Sequence, residues 1–87
     1  MDKVMLSTLR QLTLAFDTDA GVDRDSFNQH LPSIRKNMGA DAADILTDAM
    51  EVDGNTYYYP AKGDGINVWK RMLAAYKQEQ ALDKVGK

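Results

Sequence analysis

The chain has 87 residues, no cysteine and a net charge of −2, so it builds one domain without a disulfide framework or a thiolate metal site. Its hydrophobic fraction of 44% is that of a globular chain rather than a disordered one. No apolar run approaches the roughly 20 residues of a transmembrane helix, and the first residues lack signal-peptide features, so we expect a cytoplasmic protein.

The first predicted element is an amphipathic helix over about residues 3–16. Leu9, Leu12 and Phe16 follow one another at helical spacing and define its apolar face. Residues 17–21 are turn and capping residues and should end the helix.

A second helix is predicted to begin at Asp25 or Ser26, either of which is a good N-cap, and to end at Met38 before Gly39. Pro32 interrupts this pattern. Because proline removes a helix hydrogen bond, it should kink the helix or mark a later start.

The second half continues with an alanine-rich helix over about residues 41–50. The β-forming residues 56–59 predict a short strand, with Tyr57 and Tyr59 on one face and Tyr58 on the other. A loop over residues 60–65 leads to a last helix over about residues 66–82. The two halves therefore repeat one plan of helix, acidic loop, short strand and helix.

The two loops carry a resemblance to the EF-hand family. Phe16-Asp17-Thr18-Asp19 is similar to the Phe-Asp-x-Asp opening of an EF-hand loop, and residues 21–27 resemble its glycine, hydrophobic, Asp-x-x-Glu-Phe close. Residues 53–60 resemble an Asp-Gly-Asn-Gly-Thr-Ile-Asp-Phe-Pro loop with one glycine missing.

This resemblance implies an all-α fold of two paired, degenerate EF-hands, like one lobe of calmodulin. The first unit would span about residues 3–38 and the second about residues 41–82, within a single domain of residues 1–87. Four helices would be joined by a short two-stranded β-bridge between the loops, with Val22 opposite Tyr57. In the alternative interpretation, the tyrosines form a hairpin strand that is unrelated to any pairing of the loops.

Both loops depart from the calcium-binding pattern. The first, residues 17–26, is two residues short and ends on Ser26, and the second, residues 51–61, is one residue short and ends on Ala61. Since Ca²⁺ needs six to eight oxygens and a closing bidentate glutamate, we expect calcium binding to be lost or very weak and no other cofactor. Asp17, Asp19 and Asp23 are the remaining candidate ligands, and helix capping is the better interpretation of them.

A lobe of this family without calcium retains the binding of an amphipathic target helix. The chain resembles the small single-lobe light chains of unconventional myosins, which implies calcium-independent binding of the basic IQ motif of a myosin heavy chain, a monomeric free state and a cytoskeletal association. The target-helix groove would be lined by Phe16, Leu31, Met38, Leu46, Met50, Trp69, Met72 and Leu73, and its acidic rim would consist of Asp41, Asp44, Asp48 and Glu51.

The charge distribution agrees with a basic partner. Residues 1–60 carry ten acidic and five basic side chains, whereas residues 61–87 carry three and six. Nucleic-acid binders need clustered Lys and Arg, so the acidic part of the chain favours a basic protein over nucleic acid. A solvated surface of mixed charge is the simpler interpretation of the same composition.

Two other classes remain open. In a winged-helix DNA-binding protein, residues 41–52 would be the recognition helix and residues 57–65 the wing, but this helix has four acidic residues and neither Lys nor Arg. A bacterial nuclease-immunity-type inhibitor is an acidic four-helix protein with a Gly-x-x-x-Tyr-Tyr-Pro signature, which Gly54 and residues 58–60 resemble.

An enzyme is not expected. His30 is the single histidine, and no nucleophile for it to activate is apparent in the sequence. The carboxylates are predicted in loops and on exposed helix faces, without the apolar enclosure that general acid catalysis requires.

Overall fold

A computed structural model describes residues 2–18 and 20–85 of the chain. Within these residues, four helices and three short strands follow one another along the chain. They are α1 (Lys3–Ala15), β1 (Val22–Asp23), α2 (Arg24–Met38), α3 (Ala40–Ala49), β2 (Glu51–Asp53), β3 (Thr56–Tyr58) and α4 (Asp64–Val85). The mostly helical fold expected from the sequence is confirmed, with a small three-stranded sheet in place of the predicted two-stranded bridge.

Aspartate side chains start the first two helices. The Asp2 carboxylate accepts a hydrogen bond of 2.7 Å from the Met5 N–H and caps α1. Asp23 accepts bonds from the N–H groups of Asp25 and Ser26 and caps α2, so α2 begins before both predicted caps. Each carboxylate satisfies donors that a helix N-terminus otherwise leaves unpaired.

Helix α2 runs without interruption through Pro32 to Met38. Pro32 is exposed, so its ring is tolerated on the solvent side, where the carbonyl deprived of a helix donor can bond to water. Of the two effects expected of Pro32, a kink or a later start, the later start is wrong, because α2 begins at Arg24.

The sheet has the strand order β1-β3-β2, and both pairs are antiparallel. Val22 lies opposite Tyr57, so the two residues expected in a bridge between the loops are direct partners. Strands β2 and β3 form a hairpin around Gly54 and Asn55, and Gly54 has φ +62°. A two-residue turn with glycine at its first central position is a common hairpin connection.

This hairpin is a correction to the predicted second loop. Residues 51–61 were expected to form an interhelical loop with a single β-bridge, whereas Glu51–Asp53 is itself a strand. Alternation of acidic and other residues is the spacing of ligands in a calcium loop, but it is also the two-residue period of a strand. The β-forming tyrosines that follow supply the partner strand, so a hairpin satisfies the backbone of both segments.

Helix α4 packs against both α1 and α3. The Tyr59 hydroxyl donates a hydrogen bond of 2.9 Å to the Thr13 carbonyl, and the Asp17 carboxylate accepts one of 3.0 Å from the Gly65 N–H. These bonds hold the end of α1 against the start of α4. The core between the helices contains Leu9, Phe16, Phe27, Ile34, Met38, Ala42, Ala43, Leu46, Met50, Tyr59, Val68, Trp69 and Met72.

Candidate functional site

Most of the side chains expected to line a target-helix groove lie inside the domain. Leu31 and Leu73 are half-buried. The buried members are Phe16, Met38, Leu46, Met50, Trp69 and Met72. Apolar spacing along a helix predicts a core as readily as a groove. Because the chain is short and has few large apolar side chains, it needs these for its core. The buried members therefore form the interior of the domain in this structure, and the target-helix groove stays a prediction.

The acidic residues of α3 form one exposed stripe. Asp41, Asp44 and Asp48 are all exposed, and their spacing of three and four residues places them on one side of the helix. The opposite side of α3, with Ala42, Ala43 and Leu46, is buried against α2 and α4. Because the rise per residue is about 1.5 Å, the stripe extends over about 10 Å of the helix axis.

The hairpin extends this negative charge. Glu51 follows α3 after a single residue, and Glu51 and Asp53 are both exposed on β2. Alternate residues of a strand point to the same face, so these two carboxylates share one face of the hairpin. We call these five exposed carboxylates, Asp41, Asp44 and Asp48 on α3 and Glu51 and Asp53 on the strand that follows it in the chain, the acidic face.

Two contacts moderate the charge of the acidic face. Asp44 forms an ion pair of 3.5 Å with Arg35 of α2, and both side chains are largely solvent-accessible, so the pair adds little to stability. The Tyr58 hydroxyl donates a hydrogen bond of 3.2 Å to the Glu51 carboxylate. This bond and the negative charges of Glu51 and Asp53 raise the pKa of Tyr58 above its ordinary value.

Sequence reasoning identified four members of the acidic face and missed Asp53. The missed signal was the alternation of Glu51 and Asp53, which was attributed to a loop rather than to a strand. Two apolar side chains lie close in sequence to these carboxylates: Ile45, next to Asp44 on α3, is half-buried, and Val52, between Glu51 and Asp53 but on the other face of the strand, is 53% exposed.

The candidate calcium ligands have structural roles where they are described. Asp17 binds the Gly65 N–H and Asp23 caps α2, whereas Asp19 lies outside the described residues. One carboxylate oxygen of Asp17, Oδ1, is buried without a hydrogen-bond partner. Within residues 2–18 and 20–85, no three acidic or histidine side chains are grouped closely enough to hold a metal ion.

Tyr59 predicts a loss of stability at high pH. Burial raises its pKa above the ordinary value of about 10, and the charges of Asp17 and Asp64 raise it further. The unfolded chain then loses this proton at a lower pH than the folded chain does, so the associated stability is fully present below about pH 10 and decreases as pH rises above it. Urea unfolding between pH 8 and about pH 11 should show this decrease, and it should be smaller for Tyr59→Phe. An equally steep decrease in Tyr59→Phe would contradict the assignment to Tyr59.

Comparison with family models, with curated proteins and with solved structures finds no match to this chain. Among the residues that the structure describes, no helix is both long enough and apolar enough to span a lipid bilayer.

Proposed function

We propose that this chain is a protein-binding domain that holds a basic helix of a partner on its acidic face, without calcium. The observation that carries the proposal is the solvent side of α3, where Asp41, Asp44 and Asp48 form a stripe on a helix without Lys or Arg. Complementary charge attracts and orients a basic partner.

The order of elements supports a related assignment of the fold. The chain begins with a helix, a strand, two helices and a hairpin, and β1 lies next to β3, the second strand of the hairpin. This arrangement resembles that of a winged-helix domain. In that comparison α3 takes the place of the recognition helix and β2 with β3 forms the wing, so the wing is residues 51–58 rather than residues 57–65. We propose that this chain uses a winged-helix-type framework for protein binding.

DNA is disfavoured at this surface. A recognition helix brings its exposed side chains into the major groove between two rows of phosphates. The exposed carboxylates of α3 and β2 would meet those phosphates with like charge, whereas favourable binding requires Lys and Arg. The same carboxylates pair favourably with the basic side chains of a protein.

A basic helix matches the dimensions of the stripe. Lys or Arg residues separated by three and four positions lie on one face of a helix and would follow Asp41, Asp44 and Asp48 along about 10 Å. Ile45, half-buried beside the stripe, offers an apolar contact to an amphipathic partner. Each exposed ion pair contributes about 0.2–1 kcal/mol, so three pairs confer selectivity for charge rather than high affinity.

An IQ motif is one member of this class of basic helices. Burial of most of the predicted groove residues favours the acidic face over an interhelical groove as the place where such a helix binds. The pairing of Val22 with Tyr57 is compatible with a bridge between EF-hand loops, but the hairpin at residues 51–58 favours the winged-helix comparison.

The proposal is tested with a fluorescent basic peptide of the IQ type, about 25 residues long, in an anisotropy titration with calcium and with a chelator. We expect binding in both conditions that weakens with added salt. Asp41→Asn, Asp44→Asn and Asp48→Asn combined should weaken it by between about threefold and a hundredfold, as the loss of three exposed pairs of about 0.2–1 kcal/mol each implies.

Asp48→Asn and Asp25→Asn form a matched pair of single changes, because both remove one exposed carboxylate and Asp25 lies on α2 away from the stripe. Only Asp48→Asn should weaken peptide binding. Unchanged affinity in the triple variant, verified as folded by circular dichroism, would overturn the proposal, as would tighter binding of duplex DNA than of the peptide.

A further inference from the structure

Strand β2 is at the edge of the sheet. The strand order β1-β3-β2 gives β3 two neighbours and β2 one. All three β2 residues are exposed, and with Val4, Val52 is one of two large hydrophobic side chains found well exposed in the described part of the chain. An edge strand offers unpaired peptide groups to an added strand.

The register shows which peptide group is available. Asp53 and Thr56 flank the two-residue turn, so they form the hydrogen-bonded pair that closes the hairpin, and Val52 with Tyr57 forms the next, non-bonded pair. The bond from the Arg24 N–H to the Asn55 carbonyl agrees with this alternation, because the peptide groups of Asn55 and Tyr57 then point toward the chain of β1 and away from β2. The N–H and C=O of Val52 therefore point away from the sheet, toward solvent.

The side chains around Val52 restrict what can pair there. A strand added to β2 would have residues directly opposite Glu51 and Asp53, where basic side chains are favourable and acidic ones unfavourable. Two copies of β2 paired antiparallel about Val52 would place Glu51 of one copy opposite Asp53 of the other, which is repulsive. Short length and charge are also the features that protect an edge from indiscriminate pairing.

We propose that the basic partner adds an extended strand to β2, in the alternating order basic, apolar, basic. Its two basic side chains lie beside Glu51 and Asp53 and its central apolar side chain covers Val52. This inference rests on the proposed function, because Glu51 and Asp53 belong to the acidic face, and it adds that the partner has an extended segment as well as a helix.

The experiment follows the amide of Val52 by ¹⁵N NMR during titration with the capped peptide Thr-Lys-Val-Lys-Val-Lys-Thr. We expect a shift of the Val52 amide signal and slower hydrogen exchange at that amide. The same peptide with its lysines replaced by glutamates, and a version methylated at alternate backbone nitrogens, should have neither effect.

Val52→Pro removes the outward donor while leaving the β2–β3 bonds, because proline is tolerated where an edge N–H faces solvent. Val52→Thr is the matched control that keeps the donor and the branched side chain. Loss of one hydrogen bond corresponds to about fivefold weaker binding, which we expect for Val52→Pro and not for Val52→Thr. The ¹⁵N spectrum of Val52→Pro is used to check that the hairpin is still formed.

The outcomes separate this inference from the proposed function. If the helical peptide binds and depends on the α3 aspartates while the strand peptide leaves Val52 unaffected, the edge inference fails and the proposed function stands. If the strand peptide protects Val52 and the helical peptide does not bind, edge pairing stands and the α3 proposal fails. Protection of Val52 that grows with protein concentration in the absence of peptide would overturn the inference in favour of pairing between copies.

Discussion

Phe16→Ala is expected to lower the free energy of unfolding by about 3–5 kcal/mol, as large-to-small changes of buried phenylalanine do. Phe16 is 1% exposed, and its ring meets Phe27 and Tyr59 edge-on at centroid distances of 5.6 and 5.9 Å. Removal of the ring leaves a cavity between α1, α2 and the segment before α4. Since small domains are stable by about 5–15 kcal/mol, this change should remove a large share of the total, as measured by urea unfolding.

Phe16→Leu is the control, because it keeps most of the apolar volume and should cost less than Phe16→Ala. Val4→Ala is a second control, since Val4 is 76% exposed and surface changes usually stay within about 0.5 kcal/mol. A loss below about 1 kcal/mol for Phe16→Ala would mean that the aromatic cluster is not the centre of the core.

Gly39→Ala is also expected to lower the free energy of unfolding. Gly39 has φ +98° and separates α2 from α3, in a backbone conformation that costs about 1–3 kcal/mol for a residue with a side chain. Its N–H donates to the Arg35 carbonyl and its C=O accepts from the Ala43 N–H, so both helices depend on it. An added Cβ would also overlap the carboxylate of Glu79. We expect a loss of at least about 2 kcal/mol in urea unfolding.

A double-mutant cycle separates the two causes. Glu79→Ala removes the overlapping carboxylate without changing the backbone, so Gly39→Ala should cost less in that background than in the natural sequence. The remaining cost measures the backbone strain. Gly54→Ala is a useful comparison, because Gly54 also has positive φ but nothing lies within 4 Å of an added Cβ. If Gly39→Ala costs the same in both backgrounds, the Glu79 side chain moves aside without an energetic cost and the loss comes from the backbone alone.

The helices were predictable because their apolar residues recur at helical spacing. The residues at which α2 and α4 begin were not predicted correctly. Helix α2 starts at Arg24 because Asp23 supplies its cap, and the sequence offers three candidate caps within four residues. Helix α4 starts at Asp64, where the Gly65 N–H is bound by Asp17 from the end of α1. A cap supplied from 48 residues away leaves no local pattern in the sequence.

The candidate site was predictable to the extent that it depends on charge. Exposed aspartates spaced by three and four residues identify the stripe on α3 without knowledge of the fold. A hairpin strand at the tyrosines was the less favoured alternative, because Glu51 and Asp53 fit the spacing of a calcium loop as well as that of a strand. The groove was predicted on surfaces that the fold uses for packing, since Trp69 and Met72 show the same periodicity in both roles.

The central position of β3 bears on the order in which the molecule forms during synthesis. Val22 pairs with Tyr57, which follows it by 35 positions, whereas β2 and β3 are joined by a two-residue turn, so we expect the hairpin to form before β1 joins it. On this expectation, a nascent chain that ends before the tyrosines lacks β3, the strand that joins β1 to β2, and so cannot form the sheet.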